Sequence, residues 1–286
     1  MSKIYDCFTY FDNDRLLKLR LETLWDTVDY FVICESELTQ AGKPKPINFK
    51  PENYQKYQSK IRYLLIKTVE YPHDTKDHWE NERFQRNYLA NGFQDASDDD
   101  WIIISDIDEI PKPESILSFD PQKYLRAKFD QRCYYYYMNN LHVNQSGNPV
   151  MWDFSKITTY GAFKKVFGQL ELVRYYKPKG LFGKIKKFWV NKFKTQTLNN
   201  SGWHFTWMGG VDKIILKLES MVHQEFNLPE FKNPEKILHS IRTGQDIFGR
   251  DLFYKLQSID NQFPPYLLSH IKDYEDWFLS ERPDCA

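Results

Sequence analysis

Short apolar runs alternate with amphipathic stretches through the first hundred residues. Such runs favour strands, and the run at residues 101–104 is rich in β-branched side chains. The runs lie at residues 4–11, 30–34, 61–67 and 101–104. Apolar residues recur at three- and four-residue spacing from about Arg15 and again over residues 78–93, which predicts two helices. Strands and helices in this order predict parallel strands joined by right-handed crossovers.

The pattern changes after Pro113. Further strands are predicted at residues 131–143, 156–167 and 170–176. Helical patterns follow at residues 212–226, 234–243 and 265–279. Since neither a repeat nor a linker separates these parts, a single domain is expected over residues 1–286, divided into halves near residue 112. The sequence therefore predicts an α/β fold whose mixed sheet is mainly parallel in the N-terminal half and flanked by helices.

The apolar run at residues 101–104 leads directly into three acids, Asp106, Asp108 and Glu109. Ligands of open α/β sheets bind beyond the carboxyl ends of the strands. Asp106 and Asp108 are two positions apart, so both can bind one Mg²⁺ or Mn²⁺ whose other positions take phosphate oxygens. Asp-x-Asp is also common after strands that bind no metal. Three clustered acids repel one another unless a cation relieves the repulsion, which favours a binding site here.

Two other segments carry candidate binding groups. The helix that precedes the acids contains Arg83, Arg86 and Asn87, which could lie along a diphosphate or a nucleobase, or could simply be solvated helix residues. Residues 202–210 hold tryptophans on both sides of His204 and end in two glycines. This composition suits an indole stacked on a sugar, although His204 alone is more often an ordinary half-buried histidine.

Composition excludes some classes of function. The 39 basic and 39 acidic residues balance, so no global field favours nucleic acid as a partner. The aromatic content of 17% suits either sugar stacking or a tyrosine- and phenylalanine-rich core. Four cysteines without paired spacing indicate a reducing compartment and argue against structural zinc. No signal segment or spanning apolar run is found, so we expect a cytoplasmic, soluble protein or a catalytic domain without an anchor.

Residues 177–197 form a separate basic and amphipathic segment. Its apolar residues fall on one helical face and are Leu181, Phe182, Ile185, Phe188, Trp189 and Phe193. Its lysines are Lys179, Lys184, Lys186, Lys187, Lys192 and Lys194. Two interpretations are open: peripheral contact with an anionic membrane through residues 179–194, or packing of the apolar face on the domain with the lysines in water.

Taken together, the chain resembles glycosyltransferase family 17. The resemblance lies in six motifs that follow the family's order between residues 4 and 244. They are IYDCF (4–8), VDYFVI with ES and LT (28–39), GKPKP (42–46), SDIDEIP (105–111), GWHFTW (202–207) and IRTG (241–244). The resemblance implies a GT-A fold and inverting transfer from a nucleotide sugar, most of all UDP-N-acetylglucosamine, to a glycan acceptor. The basic segment has no counterpart in the family, and a polysaccharide or glycolipid glycan fits the acceptor better than an N-glycan.

The resemblance also suggests roles for individual residues. Asp106 and Asp108 would hold Mn²⁺ or Mg²⁺, with His204 as a third ligand. The nucleotide sugar would contact residues of the half that ends near residue 112, while the other half forms the acceptor side. The residues that contact the nucleotide sugar would be Glu35, Arg83, Arg86, Asn87 and Asp106, with Arg174 or Arg242 adding positive charge at the phosphates. Inversion needs a general base, for which Asp212 is preferred while Glu225 and Asp153 remain open.

Two other classes of function remain as alternatives. A sugar nucleotidyltransferase also uses an aspartate-bound metal, but it normally has a glycine-rich basic loop after its first strand, and residues 10–14 are neither glycine-rich nor basic. A non-catalytic carbohydrate-binding protein could use the tryptophans without the acids. Metal-dependent nucleotide binding separates an enzyme from this second alternative.

Overall fold

The computed structural model describes residues 2–72, 74–178 and 180–281. The strands are β1 (Ile4–Thr9), β2 (Tyr30–Ser36), β3 (Ile61–Ile66), β4 (Trp101–Ile104), β5 (Glu109–Pro111), β6 (Arg126–Phe129), β7 (Gln131–Tyr135), β8 (Asn140–Val143), β9 (Met151–Trp152), β10 (Lys156–Thr159), β11 (Thr195–Leu198), β12 (Gly202–Thr206) and β13 (Phe253–Leu256). The α-helices are α1 (Asp14–Leu24), α2 (His78–Tyr88), α3 (Pro113–Ile116), α4 (Tyr160–Ala162), α5 (Leu170–Arg174), α6 (Gly180–Phe193), α7 (Gly210–Ser220), α8 (Pro234–Thr243) and α9 (Pro265–Ser269). Short 3₁₀ segments lie at Pro51–Tyr57, Thr68–Glu70, Leu89–Phe93, Gln224–Phe226, Pro229–Phe231 and Ile271–Trp277.

The larger sheet has the strand order β11-β6-β10-β4-β1-β2-β3. Strands β4, β1, β2 and β3 run parallel to one another, whereas β10 is antiparallel to both β4 and β6. This confirms the predicted mixed sheet that is mainly parallel in the N-terminal half, consistent with a GT-A-like fold. Because β1, β2 and β4 are parallel, their carboxyl ends meet at one edge of the sheet.

Helices cover both faces of this sheet. On one face, Leu17 and Leu21 of α1 pack with Ile103 of β4. On the other face, Leu89 and Phe93 pack with residues of β1, β2 and β4. Ile102, Ile103 and Ile104 are therefore buried from both sides, as their continuous apolar sequence predicts.

A second sheet places the tryptophan- and histidine-containing segment against the acids. Its order is β13-β8-β7-β12-β5, with β9 paired to β7. His204 on β12 lies opposite Glu109 on β5 and opposite Cys133 on β7. Tyr134 and Phe205 form the core of this part together with residues from the C-terminal region. The three acids after β4 and the segment that contains His204 are thus neighbours in space.

Several predicted elements differ from those in the structure. The strand predicted at residues 156–167 ends at Thr159, whose hydroxyl accepts a hydrogen bond from Ala162 N and so begins a helix. A π-helical turn at Phe163–Phe167 follows. The strand predicted at residues 170–176 is wrong, because this stretch forms α5 with Leu170 and Val173, three positions apart, buried.

Other predicted boundaries also change. The strand predicted at residues 131–143 is interrupted at Tyr136, whose backbone is left-handed at φ 66°. Cys7, Cys34 and Cys133 are buried and free, as expected of thiols that pack as apolar residues, while Cys285 lies outside the described residues. No helix within the described ranges is long and apolar enough to span a membrane.

Helix α6 packs on the domain through Val190, but the predicted apolar face is not the side that packs. Among the described side chains of α6, Gly183 and Val190 are buried. The apolar residues predicted to pack on the domain are instead exposed; they are Leu181, Phe182, Ile185, Phe188, Trp189 and Phe193. Lys179 lies outside the described residues.

Candidate active site

A cleft of about 1770 Å³ opens at the carboxyl edge of the larger sheet. The cleft is lined by the ends of β1 and β2, one face of α2, the loop after β4, α5, β12 and α7. Ligand pockets that hold one drug-sized molecule occupy roughly 300–1,000 Å³. The cleft is therefore large enough for two substrates side by side.

Arg20 fixes the loop that carries the acids. Its guanidinium is fully buried and pairs with Asp6 through bonds of 2.7 and 2.5 Å. Nη1 also donates to the carbonyl oxygens of Asp106, Ile107 and Glu109 at 3.0, 3.3 and 2.8 Å. A single buried cation thereby holds the loop backbone in one conformation. The helical pattern of α1 gave no sign of this role, since an arginine between leucines there looks like an ordinary helix residue.

Glu109 holds several side chains of the site in place through hydrogen bonds. It is fully buried and accepts hydrogen bonds from Arg174 Nη1 and Nη2, at 2.9 and 2.7 Å, and from Ser155 Oγ at 2.8 Å. Trp152 Nε1 donates to Glu109 Oε1, which also accepts from Arg174 Nη2. Burial opposes its ionisation, but the charges of Arg174 and His204 hold the pKa of Glu109 below its usual range. Glu109 therefore orients Arg174 and is not available as a ligand.

Asp106 lies in the cleft beside two arginines. Arg174 Nη2 is 2.7 Å from its Oδ2, and Arg86 Nη2 is 3.6 Å from its Oδ1. Arg86 also pairs with Glu82 at 3.0 Å and with Glu171 at 2.5 Å. These contacts hold both guanidinium groups in place on the cleft wall, where they can meet an anionic ligand.

Asp108 and His204 face each other at the base of the cleft. Asp108 Oδ2 is 3.6 Å from His204 Nε2 and 3.5 Å from Lys217 Nζ. Burial opposes the ionisation of Asp108, but Lys217 and His204 lower its pKa. Burial likewise opposes protonation of His204, yet Cys133 and Asp108 raise its pKa above the usual range. A cation bound between Asp108 and His204 would displace that proton.

Asp108 is the side chain at this point whose chemistry suits a hard divalent cation. Among the described residues, no group of three or more His, Cys, Asp or Glu side chains is arranged to hold a metal. Mg²⁺ is commonly bound through only one or two carboxylates together with substrate phosphates and water. Asp108 supplies a carboxylate for that mode, with His204 beside it, whereas Asp106 is already paired with Arg174. From the sequence, Asp106, Asp108 and His204 were all predicted as ligands.

The remaining predicted nucleotide contacts separate into two groups. Arg83 and Asn87 line the cleft with Arg86, and Asn87 Oδ1 accepts from Glu171 N at 3.0 Å. Glu35 does not line the described cleft. It is buried, and its carboxylate oxygens accept from Lys45 Nζ, Asn48 N, Phe49 N and Tyr63 Oη. Arg242 is exposed at the end of α8, outside the described lining of the cleft.

None of the three predicted general bases is found in the described lining of the cleft. Asp212 is exposed in the first turn of α7, next to Lys213, which does line it. Glu225 bonds to His223 at 2.6 Å, and Asp153 pairs with Lys128 at 2.9 Å. Acids that line the described cleft, apart from Asp106 and Asp108, are Asp12, Asp77, Glu80, Glu82 and Glu171.

The two tryptophans of the histidine segment have different environments. Trp203 is buried in the second core, where Nε1 donates to Gln262 O at 2.8 Å. Trp207 lines the cleft with a left-handed backbone at φ 62°, and Lys217 Nζ lies 4.9 Å from its ring centroid. Strained backbone of this kind in a non-glycine residue is concentrated at functional sites. Lys213 and Lys217 were not predicted as site residues from the sequence, although their four-residue spacing on α7 places both on the cleft side.

Comparison with known proteins gives one family and a small set of relatives. The profile of glycosyltransferase family 17 matches residues 1–165. A β-1,4-mannosyl-glycoprotein 4-β-N-acetylglucosaminyltransferase of Rattus norvegicus is 25% identical over 293 residues, covering 94% of this chain and 52% of the relative. The protein of that name from Mus musculus is 24% identical with the same coverage. The Homo sapiens protein is 31% identical over 110 residues, covering 36% of this chain and 20% of the relative.

The matches extend over the candidate site to different degrees. Asp106 and Asp108 lie inside the range matched by the family profile, whereas Arg174, His204 and Lys217 lie beyond it. The chain spans about half the length of the curated rat and mouse relatives it matches.

Proposed function

Because the chain belongs to glycosyltransferase family 17, we propose that it transfers N-acetylglucosamine from UDP-N-acetylglucosamine to a glycan acceptor, with inversion at the anomeric carbon. The observation that carries this proposal is the cleft beyond β4, in which Asp106 and Asp108 face a volume large enough for a donor and an acceptor. The choice of donor is supported by relatives that are named as N-acetylglucosaminyltransferases.

The donor diphosphate would lie along the cationic wall of the cleft. Arg83, Arg86 and Asn87 come from α2, and Arg174 comes from α5. Guanidinium groups held by Glu109 and Glu171 would place fixed positive charge beside the phosphate oxygens. Residues 1–112 would supply most of this wall, with Arg174 as a contribution from residues 113–286.

Asp108 and His204 would hold Mn²⁺ or Mg²⁺ with oxygens of the diphosphate and water. When bound, the ion offsets negative charge that develops on the departing UDP. Asp106, paired with Arg174, would position that guanidinium against the same phosphates.

The acceptor would enter from the side of the second sheet. Trp152 and Trp207 line this part of the cleft and offer ring surface for stacking a sugar. Removal of the acceptor hydroxyl's proton requires a general base, and Asp212 stays a prediction for that role. A polysaccharide or glycolipid glycan is the acceptor class we propose.

Donor turnover tests this proposal directly. The purified chain, incubated with UDP-N-acetylglucosamine and Mn²⁺, is expected to release UDP slowly without acceptor and faster when a glycan acceptor is added. UDP-glucose, UDP-galactose and GDP-mannose serve as matched donors and are expected to react more slowly. Release from one of these in preference to UDP-N-acetylglucosamine would contradict the donor assignment, and release from none of the four would contradict transfer itself.

A further inference from the structure

Helix α6 presents an outward stripe of large apolar side chains. Six of them are between 44% and 87% exposed; they are Leu181, Phe182, Ile185, Phe188, Trp189 and Phe193. Phe188 and Phe193 contact each other with ring centroids 6.0 Å apart, so the stripe is continuous at its C-terminal end. A contiguous exposed apolar surface of this kind marks an interaction site.

The outward direction of the stripe is fixed by the opposite side of the helix. Gly183 and Val190, seven positions apart, form the buried side. A Cβ added at Gly183 would lie 2.6 Å from the Pro178 carbonyl oxygen, so only glycine allows this close approach. Arg126 Nη2 also donates to Asn191 Oδ1 at 2.8 Å. Because Val190 is buried in the core and Asn191 is bonded to Arg126, the stripe cannot turn inward without breaking these contacts with the domain.

Charge along the segment that contains α6 has one sign. Between Glu171 and Asp212 the sequence contains no acidic residue. The same stretch contains Arg174 and the lysines Lys177, Lys179, Lys184, Lys186, Lys187, Lys192 and Lys194. The whole chain has a formal net charge of zero, so this is a local concentration of positive charge. Lysines beside exposed phenylalanine and tryptophan complement an anionic bilayer surface, whose headgroups attract the ammonium groups while the rings enter the interface.

We propose that α6 docks on an anionic membrane, with its apolar stripe in the interface and its lysines among the headgroups. Lys177 and Pro178, which lead into the helix, line the cleft. Docking through α6 therefore brings the cleft close to the bilayer surface. This last step rests on the function proposed above, and it identifies the acceptor class as a glycan carried by a membrane lipid.

Co-sedimentation with vesicles tests the docking without using catalysis. The full chain is expected to sediment with vesicles of phosphatidylcholine and phosphatidylglycerol, to bind pure phosphatidylcholine more weakly, and to dissociate as salt is raised. Phe188→Ser combined with Trp189→Ser should reduce the bound fraction about tenfold or more, because it removes two rings from the interface. Val69→Ser combined with Leu117→Ser is the matched control, since both side chains are exposed, at 89% and 63%, and neither belongs to α6. The control should bind like the wild type.

Two outcomes would overturn the docking. One is binding to anionic vesicles that the Phe188→Ser and Trp189→Ser changes leave unaltered. The other is an absence of vesicle binding at low salt, including the case in which the wild type forms a dimer through this stripe and the double variant does not. UDP binding by the double variant in solution separates the two proposals. Loss of docking with UDP binding retained supports the role of α6. Vesicle binding by a chain that binds no UDP would support docking and contradict the proposed enzyme.

Discussion

Asp108→Asn is expected to lower sugar transfer at least about 100-fold while the protein remains folded. The carboxylate of Asp108 points into the cleft and lies 3.6 Å from His204 Nε2. Asparagine keeps the shape of the side chain but removes the charge that a divalent cation requires. The loss should appear in kcat/KM for UDP-N-acetylglucosamine, and higher Mn²⁺ should recover part of it if cation affinity is what the substitution weakens.

Asp99→Asn is the matched control for this experiment. Asp99 is an exposed acid in the turn before β4 and is not part of the described lining of the cleft. Its replacement should leave kcat/KM within about twofold of the wild type, as for a surface substitution away from special features. Near-normal transfer by Asp108→Asn at limiting Mn²⁺ would contradict the role given to Asp108.

Arg20→Met is expected to produce the largest loss of stability, about 3–5 kcal/mol in the free energy of unfolding. Both side chains of the Arg20–Asp6 pair are fully buried, so removal of the arginine leaves the carboxylate of Asp6 buried without a partner. The same substitution removes the donor that holds the carbonyl oxygens of Asp106 and Glu109. Urea unfolding followed by circular dichroism measures the change.

Two further variants identify the cause of that loss. Arg20→Met combined with Asp6→Leu should regain much of the stability, because it removes the unpaired charge, yet transfer should remain impaired because the loop is still unsupported. Arg15→Met breaks the exposed pair with Asp276 and should cost about 1 kcal/mol or less. If Arg20→Met destabilises no more than Arg15→Met does, the account of Arg20 is wrong.

The larger sheet could be predicted from the sequence because the patterns that indicate its strands lie within short stretches of the chain. Trp101–Ile104 is apolar throughout, and strands buried on both faces have this composition. The acids beyond that strand and the segment containing His204 were both recognised as candidate sites. Their contact depends on the pairing of β12 with β5, which no local pattern specifies.

Other features depend on tertiary contacts alone. Arg20 lies in a helix whose apolar spacing is satisfied without it, so its bonds to the loop after β4 could not be read from the chain. Glu109 was grouped with two aspartates by proximity in sequence, but the surrounding Arg174, Trp152 and Ser155 give it a different role. The outward face of α6 could not be predicted either, since an amphipathic pattern does not indicate what covers its apolar side.

Calorimetric titration of UDP into the wild-type chain, with Mn²⁺ and then with EDTA, is the most direct test of the central claim that this cleft binds a nucleotide sugar through a divalent cation. Saturable heat with Mn²⁺ that disappears with EDTA is the predicted result. Equal binding in EDTA would contradict the cation site at Asp108 and His204, and no binding of UDP under either condition would contradict the proposed donor.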